Sequence, residues 1–339
     1  MLLTLILILA FIPIYLVGIS KNNDTSFFFT KDYTTVLKGA CAIVVILVHI
    51  PVFYSNKLQD AIGSFAYVAV SVFFMVSAYG MEYSYEKKKD YLKRFWRNRI
   101  ISLFVPLLLI NVIAFLLVSY ASNALMWEFL YGINDYIICL LEYCLLFYIL
   151  KIIGKKMSLS TCVVDSLLIG SVLLISLVSY LANIYEIPVF RWCYERYGLI
   201  WGLLLYRYKD QFLAWCGKKS MYKILTLFIM GLVLGVAYLK FKSVWFWGEY
   251  LLKVVLGLAL ILLLLTSTAR ISFGNSVSRW LGKISYEVYL SHLVIIAFLE
   301  IAFSQLNSGY FIAITIIGTI ITSTFVNALS SKIVAKLRK

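Results

Sequence analysis

Charge is what this chain has least of. Only 14% of its 339 residues are Asp, Glu, Lys or Arg, while 63% are hydrophobic and the mean hydropathy is +0.92. A soluble core of this size has no room for so much apolar surface, whereas repeated apolar runs of about 20 residues cross a bilayer. Proline is scarce at four residues, and no Pro-, Gly- or Ser-rich tract divides the chain. Linked soluble domains are thereby excluded, and the reading is a single membrane domain over 1–339. The six cysteines form no CxxC pair, and Cys41, Cys139, Cys144, Cys162 and Cys193 lie in or beside apolar segments. Free thiols in the membrane follow, with no disulfide framework and no metal. Acidic residues are outnumbered 16 to 31 by Lys and Arg, for a net charge of +15. Cytoplasmic loops of a membrane protein account for such an excess without a nucleic-acid partner.

What the chain does contain is a series of apolar runs. Eleven candidate spans are legible, at about 2–18, 36–54, 61–83, 100–120, 136–150, 162–183, 192–206, 221–239, 250–268, 284–304 and 309–328. The fold class expected is all-α, a polytopic membrane bundle of ten or eleven helices within the lipid bilayer. The first run has no basic flank and no Ala-x-Ala site, so it reads as a retained span and not a signal peptide. With the N-terminus outside, the inner loops 19–35, 84–99, 151–161, 207–220, 269–283 and the tail 329–339 hold 23 of the 31 Lys and Arg. The outer loops hold only Lys57, Arg191, Lys240 and Lys242. That asymmetry predicts an outside N-terminus and a cytoplasmic C-terminus in the plasma membrane.

Histidine is rarer still, with two in the whole chain. His49 sits at the end of the apolar stretch Lys38-Gly-Ala-Cys-Ala-Ile-Val-Val-Ile-Leu-Val-His49, with no polar neighbour within four residues. An ionisable group in hydrocarbon is costly, which makes a functional role its default reading, against that of a packed histidine bonded to a carbonyl. Eleven positions at about 100° each bring Lys38 and His49 to one helix face, roughly 16 Å apart. Both are then expected to line one tunnel, Lys38 at an anionic end and His49 at a reactive end, as general base or acyl acceptor. The alternative for Lys38 is a snorkelling interfacial lysine.

The loop Lys87-Lys-Lys-Asp-Tyr-Leu-Lys-Arg-Phe-Trp-Arg-Asn-Arg99 is the densest charge in the chain. Its cations either enforce topology on anionic lipid, or Arg94, Arg97 and Arg99 beside Phe95 and Trp96 bind a phosphorylated nucleotide. The tenth span opens Trp280-Leu-Gly-Lys-Ile-Ser-Tyr-Glu-Val-Tyr-Leu-Ser-His292, placing Ser285, Tyr289 and His292 at i, i+4 and i+7 on one face. Tyr286 joins Tyr289 as an interfacial tyrosine. Glu142, inside the fifth span, either pairs with Arg196 or binds a hydroxylated substrate.

Lys38-x10-His49, the Phe-Phe-Met-Val-Ser-Ala-Tyr-Gly stretch, the Arg-rich entry to Val105-Pro106 and the Leu281–His292 segment together resemble the acyltransferase-3 family of membrane O-acyltransferases. The resemblance runs from about residue 32 to 328. It departs from the family in its extra first span, 1–18, and in Ala78, where glycine is common. Members typically move an acyl group, most often acetyl from acetyl-CoA, onto extracellular or lipid-linked carbohydrate. The resemblance implies His49 as catalytic residue with Lys38 as its basic partner. Acetyl-CoA would be held by Arg94, Arg97, Arg99 and Lys38, and Ser285, Tyr286, Tyr289, His292 and Glu142 would serve the acceptor or the oxyanion. The function expected is O-acetylation of a cell-envelope polysaccharide or lipid-linked sugar. The rival from another class is a transporter or flippase of such a sugar or of a small amphiphile, with the histidines as proton relay.

Overall fold

The computed structural model describes all residues except 1, 22–24, 55, 185, 218–219, 304–305 and 339. The topology cations Lys218, Lys219 and Lys339 thus lie outside the described residues. The helices follow in chain order. They are α1 (Leu2–Leu16), α2 (Lys31–Val48), α3 (Lys57–Gly63), α4 (Tyr67–Lys87), α5 (Phe95–Ser122), α6 (Glu128–Tyr131), α7 (Asp135–Lys156) and α8 (Thr161–Leu181). After them come α9 (Tyr197–Arg207), α10 (Lys209–Gly217), α11 (Ser220–Phe241), α12 (Lys253–Thr268), α13 (Ser276–Lys283), α14 (Ser285–Ala302) and α15 (Ser308–Leu337). A π-helical turn, Trp247–Leu252, leads into α12. The only strands among the described residues, β1 (Ser20–Lys21) and β2 (Ile271–Ser272), pair antiparallel.

The protein is an all-α polytopic bundle. Each of the eleven expected spans contains a helix, and eight of these helical stretches are long and apolar enough to cross a membrane. The exceptions are α1, α2 and α9: α1 and α9 are short, and α2 carries Lys31, Asp32 and Lys38 in its first turns. Side chains set the helix starts. Thr30, Asn134, Ser160, Asn275 and Asn307 each accept a backbone N–H in the first turn of the helix that follows.

Two close approaches fix the inner packing. A Cβ on Gly198 or Gly202 of α9 would meet the carbonyl oxygens of Ser71 and Met75 at 2.0 and 2.2 Å, so α9 lies directly on α4. The methyl of Ala78 faces Gly202, whose missing Cβ leaves it room. Likewise a Cβ on Gly282 of α13 would meet the Thr35 carbonyl oxygen at 1.9 Å, which brings α13 onto α2.

The loops sort into two faces. On one, β1 pairs with β2, Lys209 sits over the Phe28 ring, and Arg97 donates to the carbonyl of Arg338. A buried ion network joins the same side: Lys151 Nζ lies 2.8 Å from Glu82 and 3.4 Å from Asp165, and Arg207 reaches Glu82, Asp165 and Glu86. All six cation-rich segments therefore meet on one face. On the other, Arg191 pairs with Asp135, and Ser308 Oγ donates to the Tyr54 carbonyl at 2.6 Å.

Candidate active site

His49 owes its position to the way α2 ends. Pro51 cannot continue a helix, and the chain stops at His49, which adopts φ −92° and ψ 0°. Its backbone N–H tightens onto the Ile46 carbonyl instead of that of Val45. The Val45 carbonyl, one of the helix's orphan acceptors, is met by the His49 ring, with Nδ1 at 2.8 Å. Helix termination thus locks the imidazole.

The second histidine completes the arrangement. His292 is 1% exposed on α14, with Nδ1 3.2 Å from the Val288 carbonyl and Nε2 3.3 Å from His49 Nδ1. The ring centroids are 4.8 Å apart. The two carbonyls assign the tautomers: a carbonyl only accepts, so both Nδ1 atoms carry hydrogen. His292 Nε2 is then a bare acceptor facing the shared His49 Nδ1–H. His49 Nε2 is the nitrogen left unprotonated, and no described residue bonds it. Tyr289 packs against His292 at 5.8 Å between centroids, backed by Tyr136 at 5.0 Å.

His49 lines a cavity of ≈ 240 Å³ on the cation-poor face. The α3–α4 junction (Gly63, Ser64, Tyr67), the loop before α9 (Trp192, Tyr194, Glu195), Tyr238 and Lys253 complete its wall. The expected tunnel toward Lys38 is not open. Ala42 and Val45, which lie between Lys38 and His49 on the same face of α2, are each 1% exposed, in a helix against which α4, α13 and α14 all pack. The cavity reaches His49 from the opposite side.

The remaining sequence-predicted residues fall in three groups. Lys38 is half-buried near the cation-rich face, where the charge of Glu287 on α14 acts on it. Glu287 is 4% exposed and accepts from Asn327 at 2.9 Å. Arg94 and Arg97 are exposed on that face, and Arg99 lies half-buried with its guanidinium 5.8 Å from the Phe95 ring centre. These cations share a face, but no contact joins Lys38 to the arginines. Ser285, Tyr286 and Glu142 do not reach the histidine cavity. Ser285 Oγ donates to the Gly282 carbonyl at 2.9 Å, and Tyr286 donates to that of Leu103 at 2.9 Å, bracing α14 against α5. Glu142 takes the first of its two expected roles, pairing with Arg196 at 3.2 Å. Arg196 also donates to the carbonyls of Val189, Arg191 and Trp192, so this pair shapes the loop that carries Trp192 and Glu195.

Sequence reasoning missed Glu195, Lys253 and Trp192 as cavity residues, along with the network at Glu82, Lys151, Asp165 and Arg207. Lys253 and the acids Glu82 and Asp165, all inside apolar spans, were a readable signal. Glu195, inside the expected span 192–206, carried the same signal, and Trp192 had none.

A membrane-embedded helix bundle with a buried histidine pair, one ring nitrogen bare beside a cavity, belongs to the class of membrane proteins equipped for base or nucleophile chemistry. The family is settled by comparison: the family model described as an acyltransferase domain, Acyl_transf_3, matches residues 31–327, and the chain belongs to the acyltransferase-3 family. It is a membrane acyltransferase. No curated protein and no solved structure matches the chain.

Proposed function

We propose that this protein transfers an acyl group, acetyl in the simplest case, from cytoplasmic acyl-CoA to a hydroxyl of a cell-envelope glycan or lipid-linked sugar. The observation that carries the reading is the 3.3 Å contact between His292 Nε2 and His49 Nδ1, which leaves His49 Nε2 bare beside the cavity. In this scheme His49 Nε2 takes the proton of the acceptor hydroxyl as its oxygen attacks the thioester carbonyl carbon. Collapse of the tetrahedral intermediate breaks the carbon–sulfur bond, and the proton passes from His49 to the departing CoA thiolate. His292 accepts the His49 Nδ1–H throughout and stabilises the imidazolium, as the third group does in a hydrolase triad.

The donor's phosphates would bind at Arg94, Arg97, Arg99 and Lys38 on the cation-rich face, with N-terminus outside and C-terminus cytoplasmic in the plasma membrane. Ala42 and Val45 close the direct route between that face and His49. Donor entry in this scheme therefore parts α2 from the helices packed on it.

The test is release of free CoA thiol by purified protein in lipid vesicles supplied with acetyl-CoA and host envelope glycan. Wild type should transfer acetyl to the glycan. His49→Ala should lose about 10²–10⁴ of the rate while still inserting and unfolding like wild type. Wild-type turnover in that variant, or glycan movement without thiol release, overturns the reading.

A further inference from the structure

The wall of the cavity opposite His49 holds a buried carboxylate met only by its own backbone N–H and an indole N–H with no acceptor. Glu195 is 5% exposed and lines the cavity, yet no other residue's hydrogen bond reaches its carboxylate. The charges nearest it are Lys253 and Arg196, and Arg196 is committed to Glu142 and to loop carbonyls. Beside it the indole Nε1–H of Trp192 is buried with no acceptor. A buried polar group without a partner costs roughly 1–3 kcal/mol, and such groups converging on one cavity indicate a ligand that satisfies them.

The backbone is arranged to present them. Trp192 sits at φ 63°, a left-handed conformation that a bulky residue adopts only when its surroundings enforce it. Arg196 supplies that enforcement, through the loop carbonyls it binds and its pair with Glu142. Tyr67, Tyr194 and Tyr238 line the same cavity. Tyr67 is tied down by its hydroxyl, which donates to the Lys253 carbonyl at 3.0 Å. The Lys253 ammonium lies 3.8 Å over the Tyr194 ring.

We propose that this cavity is the acceptor subsite, built for one neutral sugar ring. Glu195 accepts hydrogen bonds from neighbouring hydroxyls of that ring, and Trp192 Nε1–H donates to one of its oxygens. This inference rests on the acyltransfer reading above and names the residues that choose the acceptor. Three features select the class. A carboxylate with two acceptor oxygens matches a pair of adjacent hydroxyls, and aromatic faces match the C–H side of a pyranose. The positive charge of Lys253 offsets that of Glu195, so neither a uronate nor an ammonium sugar gains a net counter-charge. At ≈ 240 Å³ the cavity is at the small end of ligand pockets, which suits a single ring.

The experiment measures acetyl transfer from acetyl-CoA by the full-length protein in vesicles, with methyl glucoside, methyl galactoside, methyl mannoside, methyl glucuronide and methyl glucosaminide as acceptors. At least one neutral glycoside should be acetylated in preference to both charged ones. Glu195→Gln and Trp192→Phe should each raise the KM for that glycoside tenfold or more, while the KM for acetyl-CoA moves less than twofold. An equal rise in both KM values would mean a general structural role and overturn the proposal. So would an unchanged acceptor KM, a preference for a charged glycoside, or acetylation of none of the five. Failure of acetyl-CoA turnover on host glycan, already tested with His49→Ala, would instead strike the acyltransfer reading itself.

Discussion

At the scale of single residues, the chemistry depends on which nitrogen of each imidazole carries hydrogen. The backbone settles this: Val45 and Val288 carbonyls demand Nδ1–H on His49 and His292, and the consequence is one bare nitrogen at the cavity. In the proposed mechanism His292 acts through His49 and not on substrate. Hydrogen bonds to charged groups contribute about 1.5–3 kcal/mol, so His292→Ala should lower kcat by roughly tenfold to a hundredfold. The acetyl-CoA KM should hardly change. If the two rings work as a unit, the His49→Ala/His292→Ala double variant will be no slower than His49→Ala alone. Additive losses in that double-mutant cycle would separate the two histidines. His49 was legible from sequence because a lone ionisable group in a long apolar run stands out. Its partner lies 243 positions away, and spacing within α14 shows which face His292 occupies but not which helix meets that face. Glu195 stood out as an acid in the expected span 192–206, but its placement and that of Trp192 follow from a loop that Arg196 binds, and no local sequence pattern encodes it.

At the scale of elements, the bundle is joined by glycine contacts between helices and by ions at the cation-rich face. Glu82, 0% exposed on α4, meets Lys151 of α7 and Arg207 of α9, and Asp165 of α8 meets both cations. Four helices are thus joined at one point. The sequence showed Lys151 and Arg207 only as loop cations that set topology. The acids, Asp165 as the one charge of α8 and Glu82 near the end of α4, are what turn those cations inward. Removing one member leaves buried charge uncompensated, at about 3–5 kcal/mol. Arg207→Met should therefore lower the thermal unfolding midpoint of the detergent-solubilised protein, and adding Glu82→Gln should recover part of the loss by removing the negative charge that Lys151 alone leaves in excess. A double variant less stable than Arg207→Met alone would show that Glu82 contributes something other than its charge.

At the scale of the whole molecule, the alternation read from loop charge is realised physically. Segments that no helix joins directly, such as 19–30 and 269–275, or 91–99 and the end of α15, touch one another on the cation-rich face. Charge counting found this because each loop's cations are local in sequence, so the sorting needs no knowledge of tertiary contacts. What it could not find is that the route along α2 is packed shut, which depends on how closely the helices packed on α2 approach. The orientation proposed from the sign of the asymmetry makes the cation-rich face cytoplasmic. With Cys162, the exposed native thiol, replaced by serine, a cysteine at Ala124 should react with a membrane-impermeant maleimide in intact cells. One at exposed Ser158 should react only after the membrane is opened. The reverse pattern would put the arginines outside and the histidine cavity inside. Cytoplasmic acyl-CoA would then meet His49 from the open side of its cavity, and the donor and acceptor faces proposed here would exchange places.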